Sequence, residues 1–138
     1  MTKQPQRHEI GRNAVRYRVP WIFRSWRFFL LYTATLTMLC LMPDEPFPEV
    51  SEPWLQVDKI GHFTLFGFQA FLIVELLARA GARQWSVGAS AVALVVAFGA
   101  FIEHMQSLLP GGIRTFSMAD LFANALGAAV FAFLAVYR

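Results

Sequence analysis

Charge is scarce in this chain. Only 15% of its 138 residues are Asp, Glu, Lys or Arg, against 57% hydrophobic, and the mean hydropathy is +0.47. Soluble domains carry about a quarter charged residues, so too little polar material is present to coat a water-facing surface. Cysteine is nearly missing as well. The single Cys40 excludes an internal disulfide and a thiolate metal cluster. Set in an apolar run, it reads as an inert small hydrophobe. No serine or cysteine elbow precedes a helix, and no close metal-binding repeat such as H-E-x-x-H occurs. Neither a cofactor nor a metal is expected, and a centre made by His62, Glu103 and Asp120 would have to be assembled across separate helices. The length suits one domain.

What fills the chain instead is long apolar runs. They predict an all-α integral membrane bundle of four transmembrane helices, at about Phe28–Met42, Ile60–Ala80, Ser86–Gln106 and Ser117–Tyr137. The first is short, since about 20 residues cross the hydrocarbon core. It reaches back to Trp21 if Arg24 and Arg27 snorkel toward the headgroups. A cleaved signal peptide is the rival reading, but Leu41-Met42-Pro43-Asp44 offers no small-x-small cleavage site. Residues 1–27 therefore read as a basic arm and residues 28–138 as the membrane domain. Between the spans lie an acidic, proline-rich loop (Pro43–Pro53), a basic turn (Arg79–Arg83) and a loop from Leu109 to Thr115.

The net charge of +3 is unevenly placed. Lys3, Arg7, Arg12, Arg16, Arg18, Arg24 and Arg27 crowd the first fifth of the chain. Aromatic residues do not interleave them until Tyr17 and Trp21, so a nucleic-acid surface is not indicated. A basic arm beside a membrane helix is a topology signal or a contact with anionic lipid. With four spans, the arm, Arg79, Arg83 and Arg138 share one side, and only Lys59 and Arg114 fall on the other. Positive charge marks the cytoplasmic side, which predicts that both termini are cytoplasmic.

The remaining polar residues gather at the opposite, outer end. Asp58, Lys59 and His62 open the second span, Glu103 and Gln106 close the third, and Asp120 and Asn124 open the fourth, with Arg114 in the loop between. Asp58 and His62 are four apart, Glu103 and Gln106 three, and Asp120 and Asn124 four, so each pair shares a helix face. Ionisable side chains in a membrane are costly and face a partner or a water-filled cavity. Arg114 could bridge two carboxylates, and Asp58 and Asp120 would sit near helix N-termini, where negative charge is favoured. His104 points about 100° away from Glu103. Toward the inner end, Glu75 is expected to pair with Arg79. Ala119, Ala123 and Gly127 form a small-residue ridge for close helix packing, with Gly61 and Gly67 in a similar role on the second span.

Asp58-Lys59-Ile60-Gly61-His62-Phe63, followed by Phe66, resembles the DKxxHF signature of VanZ-like membrane proteins. Glu103-His104-Met105-Gln106 is similar to that family's E-x-x-Q, and Pro110 and Arg114 follow as they do there. Ser117 to Gly127 resembles its S-x-x-D-x-x-x-N-x-x-G segment. The motifs run from about Asp58 to the C-terminus. The resemblance implies a small polytopic protein of the bacterial envelope, in the cytoplasmic (inner) membrane. The family takes its name from a member associated with resistance to the glycopeptide teicoplanin, which implies a possible link to antibiotic resistance.

Three uses of the polar cluster stay open at this point. It can fix helix packing. It can bind an envelope component through Lys59, Arg114 and His62: a lipid headgroup, a lipid-linked cell-wall precursor or a peptidoglycan-related ligand. Or it can run acid–base chemistry on a lipid-linked substrate, with Asp58 and His62 as base and orienter and Glu103 as acid. The partners expected are membrane lipids, without nucleic acid.

Overall fold

The computed structural model describes residues 20–42, 53–79, 84–108 and 116–138. They are helical throughout, with no strand among the described residues: a short 3-10 helix (Trp21–Arg24), α1 (Trp26–Leu41), α2 (Pro53–Arg79), α3 (Gln84–Leu108) and α4 (Met118–Tyr137). The all-α expectation holds. Proline at the first position of α2 lacks an N–H that would have no partner there anyway. The helix accordingly starts at Pro53 rather than Ile60, and Asp58 lies in its second turn instead of at its N-terminus. α4 starts with a cap: the Ser117 Oγ accepts the Asp120 N–H at 3.2 Å. Such a cap contributes about 1 kcal/mol, and Asp120 in the first turn meets the positive end of the helix dipole.

Three helices, α2, α3 and α4, are long and apolar enough to cross a membrane. α1 is apolar but has only 16 residues, roughly 24 Å of helix against a hydrocarbon core of about 30 Å.

The outer surface differs from that of a soluble bundle. Large apolar side chains point outward, among them Trp85, Leu94, Phe101, Phe122, Phe133 and Leu134. The interior holds small residues of α4 (Ala123, Gly127, Ala128, Ala132, Ala135) and six buried polar side chains: His62, Gln69, Glu75, Glu103, Gln106 and Asn124. Water would penalise that surface, whereas lipid tails are as apolar as leucine. In lipid, helices associate through close packing and interhelical hydrogen bonds.

The tightest packing is between α2 and α4. A Cβ built on Gly127 would lie 2.0 Å from the Phe63 carbonyl oxygen, and one on Gly67 would lie 2.6 Å from the Phe131 ring and 3.0 Å from the Gly127 carbonyl. Two members of the expected packing set do not take part. Ala119 is exposed, and a Cβ on Gly61 would meet nothing within 4 Å. A repeat of four drifts about 40° per step on a 3.6-residue helix, so Ala119 has turned off the seam that Ala123 and Gly127 form.

α1 is attached by hydrogen bonds to its neighbours. The Tyr32 hydroxyl donates to the Leu65 carbonyl at 2.8 Å, and Gln69 Nε2 reaches Thr33 Oγ1 at 3.4 Å. Gln106 Nε2 donates to the Cys40 carbonyl at 2.7 Å.

At the end where α2 finishes, the expected Glu75–Arg79 pair is replaced. The buried Glu75 carboxylate takes the Arg138 guanidinium in close contact, and Arg24 Nε lies 3.8 Å away. Arg79 turns instead to the backbone carbonyl of Arg24, which ends the short 3-10 helix. Arg138 also stands over the Phe71 ring at 5.0 Å. Burial pushes the Arg138 guanidinium below its ordinary range, and the neighbouring Arg24 charge acts in the same direction. The i,i+4 pair loses because three chain segments converge there and supply better-placed partners.

Candidate functional site

The opposite end holds the polar group. α2 presents Asp58, Lys59 and His62, and α4 presents Asp120 and Asn124 to meet them. His62 Nδ1 lies 3.0 Å from Asn124 Oδ1, and His62 Nε2 lies 3.8 Å from Asp58 Oδ1. Lys59 Nζ is 3.7 Å from Asp120 Oδ1. His62 and Asn124 are buried, Asp120 is largely so, and Asp58 is about half exposed. The His62 ring also stacks on Phe66, with centroids 5.7 Å apart and planes 11° from parallel. These contacts follow from spacing: residues four apart on each helix stand one above the other on the facing sides.

α3 joins by a separate route. Glu103 is 2% exposed, and its Oε2 accepts the Ser117 backbone N–H at 3.0 Å. Ser117 is therefore a link, accepting from Asp120 through its hydroxyl and donating to Glu103 through its backbone. Gln106, expected in the same group, faces α1 and holds the Cys40 carbonyl. His104 is exposed, as its angular offset from Glu103 predicts. Arg114 lies outside the described residues.

Two participants were not on the sequence list. Ser117 could have been found from its N-cap pattern, a serine three residues before Asp120. The Cys40 carbonyl could not, because a backbone acceptor leaves no mark in the sequence. Through it, α1 becomes part of the site's wall.

Between α1 and α2 a cavity of about 150 Å³ opens beside His62. It is lined by Leu39, Cys40, Asp58, Gly61, His62, Leu65 and Phe66. Gly61 thus leaves room where a side chain would fill it. Asp58, His62 and Asp120 each bring one ligand-type atom to within 4.8 Å of the others. Glu103, which the sequence offered as a companion to His62 and Asp120, is not in that trio; Asp58 takes its place.

Chemically, the group offers one imidazole, two carboxylates and an ammonium beside a half-apolar cleft. A family model described as VanZ/LLP1 matches residues 19–137, a span that takes in the short 3-10 helix and α1 as well as the motif-bearing helices. Comparison with curated proteins and with solved structures gives no match.

Proposed function

Because the chain belongs to the VanZ/LLP1 family, we propose that it is a multi-pass protein of the bacterial cytoplasmic membrane whose polar end binds an envelope component. The ligand class is a lipid headgroup or a lipid-linked cell-wall precursor. One observation carries this reading: the cleft beside His62 is lined both by polar side chains, Asp58 and His62, and by apolar ones, Leu39, Leu65 and Phe66. A molecule with a charged head and a hydrocarbon tail matches both kinds of lining. In the same reading α1 completes a fourth crossing, helped by the turn at Trp21–Arg24 and by snorkelling arginines. The polar end then faces away from the cytoplasm and both termini face inward, as the lysines and arginines distribute.

The orientation has its own test. Single cysteines placed at Lys59 and at Arg138 should differ in labelling of intact cells by an impermeant thiol reagent. Labelling at Lys59 and protection at Arg138 is the expected result; the reverse would overturn the orientation.

For the ligand, native mass spectrometry of the purified protein should reveal a specific co-purifying lipid. That lipid should be lost on Lys59→Ala and Asp58→Asn while the protein stays folded. Finding only bulk phospholipid, unchanged by either substitution, would sink the reading. Altered teicoplanin susceptibility in cells carrying the same variants is the physiological counterpart of lost binding.

A further inference from the structure

We propose that Asp58, His62 and Asp120 bind a divalent transition-metal ion of the zinc or manganese kind. The site shares residues with the cleft described above, but the inference does not rest on the lipid reading, because the ion is assayed with no added lipid ligand.

The first argument is the tautomer of His62. Its Nδ1 faces Asn124 Oδ1 at 3.0 Å. The tautomer that donates to this amide oxygen carries its proton on Nδ1. In the neutral ring, Nε2 then presents its electron pair. That nitrogen points toward the Asp58 carboxylate at 3.8 Å, too far for a hydrogen bond. In that tautomer a cation between the two would meet a lone pair on one side and a carboxylate on the other. A histidine that donates its second N–H to an oxygen acceptor is also how proteins orient metal-binding imidazoles.

Asp120 gives an independent argument. Its Oδ1 is buried and has no hydrogen-bond partner. The ammonium of Lys59, 3.7 Å away and a third exposed, is the resident counter-charge that an incoming cation replaces. A buried carboxylate oxygen whose counter-charge stands beyond hydrogen-bond distance would gain from a cation held closer.

Spacing and donor type then choose the ion. The three ligand atoms lie within 4.8 Å of one another, whereas tetrahedral ligation at ordinary zinc distances needs about 3.4 Å between donors. Small side-chain rotations close that gap, since Asp58 is on the exposed rim. One imidazole with two carboxylates suits zinc or manganese, without the thiolates that copper(I) prefers or the all-oxygen shell of calcium. The two carboxylates balance a dication. Three protein donors leave a coordination position open toward the cleft.

The test uses the full chain in nanodiscs, stripped with chelator and titrated with Zn²⁺ alone and with Mn²⁺ alone. Bound metal is read by elemental mass spectrometry after gel filtration, and Mn²⁺ also by its spin-resonance signal. Wild type should hold about one equivalent of at least one of the two ions. Asp58→Asn, at a half-exposed position, should weaken binding by about tenfold or more. Asp120→Asn should do the same, and His104→Ala, on the exposed side of α3, should leave binding unchanged. Retention of wild-type affinity in Asp58→Asn, or failure of wild type to retain either ion, would overturn the proposal.

Discussion

Gly127→Ala should unfold this protein in the membrane or detergent, while Gly61→Ala should leave it intact. Both substitutions add one methyl group to a helix glycine. At Gly127 that methyl would lie 2.0 Å from the carbonyl oxygen of Phe63, a backbone atom that can move only if α2 and α4 separate. Separation would also disturb the His62–Asn124 contact, which spans the same two helices. Overpacking of rigid interiors costs about 1–3 kcal/mol and sometimes more; a clash with backbone belongs at or above the top of that range, at about 3 kcal/mol. Gly61 has open space around it, so the alanine there should gain up to about 1 kcal/mol of helix propensity. Monodispersity by size exclusion and a thermal melt of the two variants would decide it. Equal melting temperatures would mean that the close α2–α4 packing at Gly127 does not hold the fold together.

Glu75→Ala is the second large effect. Its carboxylate is buried and serves two arginines, Arg138 in close contact and Arg24 at 3.8 Å. Removing one partner of a buried pair typically costs about 3–5 kcal/mol. Here the arginine side chains are 28% and 46% exposed, so water screens part of the loss and about 2 kcal/mol is expected. Glu75→Gln should recover part of it by keeping an acceptor. In double-mutant cycles, the coupling of Glu75 to Arg138 should exceed that to Arg24, because the first pair is closer and less exposed. A Glu75→Ala variant as stable as wild type would show that the arginines are satisfied elsewhere.

How far the residues announced all this differs by level. Helix type was readable because apolar runs near 20 residues are a strong signal, and three of the four expected spans are helices long and apolar enough to cross a membrane. The convergence of Asp58, His62, Asp120 and Asn124 was readable too, since i,i+4 spacing sets a face and each of these residues lies near the start of its apolar run. Pair identities were not. Glu75 has Arg79 at ideal spacing on its own helix, and nothing in the sequence says that Arg24 and Arg138 will be nearer. Gln106 was assigned to the cluster for sitting three residues from Glu103, yet it reaches a carbonyl on α1. Ala119 matched a four-residue repeat but lies at the helix end, where rotation has taken it out of the seam. These failures share one cause: spacing along a helix fixes direction to within tens of degrees, whereas partner choice depends on the rotation of the neighbouring helix.

The hydrogen bond from Gln106 falls on the carbonyl of Cys40 and not on its thiol. Main-chain acceptors are supplied equally by every amino acid, so the identity of residue 40 is uncoupled from the bond that holds α1 to α3. The lone thiol of the chain can therefore be exchanged for alanine with that link preserved. A cysteine-free background follows, on which single reporter thiols can be introduced one position at a time to map each helix against the bilayer.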